Sequence, residues 1–205
     1  MADLSIPDIC GAMLLPNSSL FPHSGMPLHI FEPRYVQMLE RALQEERVFC
    51  VADILEPEDD SSLPDGTVGT AGLIRMAKKN EDGTYHCLLQ GLVRVEFTEW
   101  VEAEGVDFHL ANLEPLPDIT ISNKESKDFI EKLRNASNPA IEQLPELVRF
   151  SINSMLENID DLGVLTDLLA QQLVKDESYR HELMAQPDVK QRIEILVEYL
   201  ELGIA

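Results

Sequence analysis

Three prolines and a glycine are crowded into the run Leu20-Phe21-Pro22-His23-Ser24-Gly25-Met26-Pro27-Leu28-His29-Ile30-Phe31-Glu32-Pro33-Arg34-Tyr35, among residues that otherwise build cores. Few backbones satisfy such a run. Pro22 and Pro27 fix their own φ and push Phe21 and Met26 toward extended geometry. Gly25 permits a turn, and Pro33 suits the first turn of a helix that Tyr35, Leu39 and Leu43 continue. The run predicts a loop, a short strand and a helix start, with Leu28, Ile30, Phe31 and Tyr35 as core and helix-start residues.

A chain of 205 residues with 44% hydrophobic content can bury a substantial core, in one domain or two small ones. Its formal charge is -21, both halves are acidic, and the longest run of adjacent basic residues is Lys78-Lys79. Nothing in it would neutralise a row of phosphates or dock on an anionic bilayer, so neither nucleic acid nor membrane is an expected partner. The amino terminus lacks a secretory pattern and no apolar stretch reaches spanning length, which predicts a cytoplasmic protein. Cys10, Cys50 and Cys87 are odd in number and show no CxxC spacing, as expected of reduced thiols in a core.

Up to about Pro117 short apolar runs alternate with turn signals. Strands are expected at 11–15, 28–31, 48–55, 68–77, 84–90, 93–101 and 108–113, with one helix from Pro33 to about Glu46. Asn80-Glu81-Asp82-Gly83 supplies hairpin chemistry, and the acidic stretch from Glu56 to Gly66 reads as a mobile surface loop. Beyond Asp118 the apolar spacing lengthens to three or four residues. Ser122 and Glu125 suggest a capping box, Pro139 a break after that helix, and Pro145 the first turn of the next. Asp160 or Asp161, Asp176 and Asp188 are expected to cap three more helices. The division predicted is a β-rich domain over 1–117 and a helical bundle over 118–205.

Catalytic and cofactor chemistry is hard to find. The stretch Gly66 to Gly72 lacks the lysine of a phosphate-binding loop, and no serine lies in a Gly-x-Ser-x-Gly or Ser-x-x-Lys setting. The histidines form no i, i+4 pair and have no ligand spacing with the cysteines, and the carboxylates from Glu56 to Asp60 lack calcium-loop spacing. No metal or other cofactor is expected. Four residues stand as candidate contacts. Phe97 and Trp100 close a predicted strand beside acidic residues, where an aromatic either anchors a peptide or packs in a core. Glu32 and Arg34 flank Pro33, placed to clamp the turn or to touch a ligand.

The run from Phe21 to Tyr35, with its Pro-Leu-His-Ile-Phe-Glu-Pro-Arg-Tyr core, resembles the signature of the amino-terminal substrate-binding domain of the Lon protease family. The resemblance continues through Gly66–Met76, Gly83–Phe97 and Leu113–Asp118, and more loosely through the helical tail. It implies an α+β fold, a small antiparallel β-barrel similar to the PUA fold with one inserted helix, followed by a helical bundle. Many PUA-like barrels bind RNA, a use the charge opposes. Full-length members continue into ATPase and serine-lysine protease modules, neither of which is present here. The expectation is a stand-alone, non-catalytic protein that binds exposed, unfolded polypeptide segments, Lys- or Arg-bearing ones above all, and works with a protease or chaperone. A peptidase with an unrecognised site and a self-associating assembly protein stand as alternatives.

Overall fold

Apolar residues at 35, 38, 39 and 42 place one buried stripe along helix α1 (Pro33–Gln44), and Pro33 starts it without losing a ladder bond. The helix packs on strands β1 (Ile9–Leu14) and β3 (Val48–Ala52), and the Tyr35 hydroxyl donates to the Leu14 carbonyl at 3.2 Å. The computed structural model describes residues 6–53, 66–122, 126–157 and 159–203. The chain divides into two compact units, Met1–Leu116 and Pro117–Ala205.

The first unit adds strands β2 (Gly25–Ile30), β4 (Val68–Lys79), β5 (Tyr85–Val101) and β6 (His109–Pro115). The strand order is β2-β5-β4-β3-β1-β6, and β6 also pairs with β5, so five strands close into a ring while β2 extends from β5 as an edge. All pairs are antiparallel except β1 with β3, whose connection runs through β2 and α1. Phe49, Leu89, Val95 and Phe97 are among the side chains that fill the core.

Several local expectations need correction. The two strands predicted at 84–90 and 93–101 are one 17-residue strand, β5, with Leu92 bulged out opposite Ala71 and Gly72. Gly91 therefore lies inside β5. It lets β5 pass against the Phe21 carbonyl, which a Cβ at this position would strike. The turn in the opening run is made by Pro22 and His23, with Ser24 N–H donating to Phe21 O at 3.2 Å and His23 at φ 64. Gly25, expected in that turn, instead begins β2.

The Asp82-Gly83 hairpin forms as a three-residue loop: Gly83 sits at φ 88, its N–H donates to Asn80 O, and Asn80 N–H donates to Thr84 O. The Asp82 carboxylate accepts from both the Thr84 N–H and its hydroxyl, which hold its pKa below the usual carboxylate range. The acidic stretch from Glu56 lies, up to Asp65, outside the described residues.

The second unit holds helices α2 (Ser126–Glu142), α3 (Glu146–Glu157), α4 (Leu162–Leu173), α5 (Glu177–Ala185) and α6 (Val189–Glu201). Asp161, Asp176 and Asp188 cap α4, α5 and α6 by accepting backbone N–H bonds. Glu125, the expected capping-box partner, lies outside the described residues. Pro139 does not end α2 but sits inside its last turns. Leu133, Ser137 and Ile141 recur every fourth residue on the buried face, so the helix must run past Pro139 to keep Ile141 inside.

Candidate functional site

Strand alternation on β5 buries Tyr85, Cys87 and Leu89 and turns His86 and Leu88 outward. On β2 the residues opposite them are His29 and Pro27. Across β4 the pairing should bring Arg75 beside Leu88, but Arg75 is looped out as a bulge and Met76 takes the place. Pro27, Leu88 and Met76 thus stand in one row across three strands, and His29, His86 and Lys78 in the next. The imidazoles of His29 and His86 stack at 5.0 Å, and the Phe31 ring lies 5.7 Å from His29.

This face is open. Phe31 is 63% exposed, Met76 55% and Leu88 37%. Phe31 was expected in the core; placed just past the end of β2, it falls outside the ring. Arg75 and Lys78 flank the patch as exposed cations. Among the described residues β2 ends the sheet order and its outer edge has no partner strand, and Pro27 removes one donor from it.

The four residues singled out by sequence separate. Phe97 is 2% exposed and contributes its ring to the core. Trp100 is half-buried and stacks on His109 at 4.8 Å. Glu32 and Arg34 bond each other, with Arg34 Nε donating to Glu32 Oε2 at 3.1 Å and the guanidinium 4.6 Å over the Tyr35 ring. The pair sits at the start of α1 with both side chains partly exposed. Leu88 was legible once its neighbours on β5 were assigned inward, whereas Met76 was hidden by the bulge.

The thiols of Cys50 and Cys87 are held in the protonated form. Cys10, Cys50 and Cys87 are free and buried; burial pushes the Cys87 thiol up to about 11 and, with Cys10 beside it, pushes Cys50 well above the usual thiol range. Among the described residues no group of three or more His, Cys, Asp or Glu is placed to hold a metal ion, and no helix is long and apolar enough to cross a membrane. On the second unit, α3 exposes Leu147, Val148 and Phe150.

The fold is shared with solved proteins. The N-terminal domain of the Mycobacterium avium complex Lon protease superposes with a TM-score of 0.75 at 14% identity, covering 94% of this chain and 98% of that one. A Lon N-terminal domain protein from Xanthomonas campestris superposes with a TM-score of 0.64 at 19% identity, covering 93% and 98%. In sequence, the Lon protease of Trichlorobacter lovleyi is 27% identical over 174 residues, which are 83% of this chain and 21% of the relative. The chain spans about a fifth to a quarter of the length of such relatives. Residues 10–201 match the family described as the ATP-dependent protease La (LON) substrate-binding domain, and the chain belongs to that family.

Proposed function

We propose that this chain binds exposed apolar stretches of unfolded polypeptide at the outer face of β2, β5 and β4, without covalent chemistry of its own, as a recognition module that hands its cargo to a protease or chaperone. The observation that carries the reading is that Phe31, Leu88 and Met76 are exposed on one face, with the stacked His29 and His86 between them, beside an edge of β2 that has no partner strand among the described residues. An extended segment laid along that edge gains main-chain hydrogen bonds from the strand and apolar contact from the face. The family description, a substrate-binding domain, agrees with a role in recognition.

The face is large enough to matter. A phenylalanine presents about 150–250 Å², and Phe31 leaves 63% of its surface uncovered. Covering that surface yields at most about 4 kcal/mol at ~25 cal/mol per Å². After ordering costs, about 1–2 kcal/mol survives, so Phe31→Ala should weaken binding by roughly 5–30-fold. The test is fluorescence anisotropy with labelled lysozyme, reduced and carbamidomethylated, against native lysozyme as a control of similar charge. Binding of the unfolded form only, weakened by Phe31→Ala, is expected. Equal binding of both forms, or indifference to Phe31→Ala, would overturn the reading.

A further inference from the structure

The connection from β5 to β6 borders an open cleft of about 670 Å³, walled by Trp100, Phe108 and His109 and rimmed by Glu102 and Glu104. Two features show that the cleft is built. In a regular strand Phe97 and Trp100 would point to opposite faces, but Thr98 is bulged out, so both rings lie on one face with centroids 6.1 Å apart. The connection itself is braced by Gln37 of α1, whose Nε2 donates to Gly105 O and whose Oε1 accepts from Asp107 N–H, each at 2.9 Å. Gly105, at φ 77, closes a turn in which Val106 N–H donates to Ala103 O.

The charges are one-sided. Among the described residues no Lys or Arg lines the cleft, and Glu102 and Glu104 form no ion pair. An aromatic wall beside uncompensated carboxylates suits a long side chain with an apolar stem and a cationic head. The charge of -21 favours approach of such a group, whatever its exact path.

We propose that this cleft receives a Lys or Arg side chain of the bound polypeptide, the stem along Trp100 and Phe108 and the charge between Glu102 and Glu104. The inference rests on the polypeptide-binding reading above and adds a preference to it. Trp100 is the single tryptophan of the chain, so its emission reports on this cleft alone.

The experiment titrates Trp100 emission with Nα-acetyl-arginine amide and with its neutral citrulline counterpart, at fixed ionic strength. A saturable change with the arginine ligand is expected at millimolar concentration, with citrulline roughly tenfold weaker. The double variant Glu102→Gln, Glu104→Gln alters two exposed side chains and should keep the circular dichroism of the parent while erasing that preference. Equal responses to the two ligands, or a preference that survives the double variant, would overturn the cleft assignment. Failure of unfolded lysozyme to bind sinks the polypeptide reading and leaves the arginine titration standing. A flat arginine titration with intact lysozyme binding sinks the cleft alone.

Discussion

Arg192→Met tests how the second unit is held together. The Arg192 side chain is 0% exposed; its Nη1 and Nη2 donate to the two oxygens of Asp118 at 2.8 and 2.6 Å, and Nη1 also donates to the Gln186 carbonyl. Its Nε lies 3.2 Å from Oδ1 of Asp167, which is 1% exposed. Burial works to lower the Arg192 pKa, and Asp118 and Asp167 overcome that effect and raise it. Replacing the guanidinium by a thioether leaves Asp167 buried without its countercharge, a loss of about 3–5 kcal/mol. Asp118 adds little, because its side chain is 29% exposed and keeps water.

With a urea slope of about 2 kcal/mol per molar, the midpoint should fall by roughly 2 M, read by circular dichroism at about 222 nm. Adding Asp167→Leu should restore most of the loss, because a buried ion pair exchanged for apolar residues is often neutral. A midpoint for Arg192→Met within about 0.3 M of the parent, or a double variant no more stable than the single, would refute the reasoning.

Two further outcomes follow from the first unit. Gly91→Ala drives a Cβ into the Phe21 carbonyl of a segment already tied by His23 N–H to Gly91 O and Gly91 N–H to Ser24 O, at a cost of about 1–3 kcal/mol. Its melting temperature should drop by several degrees, while Gly25→Ala, whose Cβ meets nothing nearer than Leu88 at 3.8 Å, should melt with the parent. The Lys79 ammonium at 2.7 Å and the Tyr85 hydroxyl at 2.8 Å hold the Glu40 carboxyl below its ordinary range. A depressed carboxyl stabilises the fold above its unfolded pKa of about 4.3 and loses that contribution as pH falls through the folded value. Lys79→Met should therefore raise the Glu40 pKa measured by NMR and lower stability slightly at neutral pH but not at strongly acid pH.

Local chemistry was legible. The helix caps at Asp161, Asp176 and Asp188, the Asp82-Gly83 hairpin and the buried stripe of α1 each depend on residues within one or two turns of each other. What was misread depends on distant partners. The gap between 90 and 93 looks like the end of a strand until the Phe21 carbonyl is placed against Gly91, and Pro139 looks like a break until Ile141 is seen to need the helix. Trp100 was singled out by its aromatic character among acids, whereas Phe31 looked like core because its apolar neighbours are core.

The three register shifts of the sheet share a physical cause that also explains why alternation alone would turn Met76 inward. Each lies where its strand has a single partner strand: Arg75 comes after the last β3 partner of β4 at Leu73, and Leu92 falls between the β2 pairing of β5, ending at Gln90, and its β6 pairing, starting at Val95. Thr98 follows the last β4 partner of β5 at Glu96. A bulge in a strand paired on both edges disrupts two ladders, whereas one beyond a neighbour's end disrupts only one. The positions free to bulge are therefore set by where other strands stop, which no local pattern records. Two of these shifts decide what the surface presents, because one turns Met76 outward beside Leu88 and the other swings Trp100 to the mouth of its cleft.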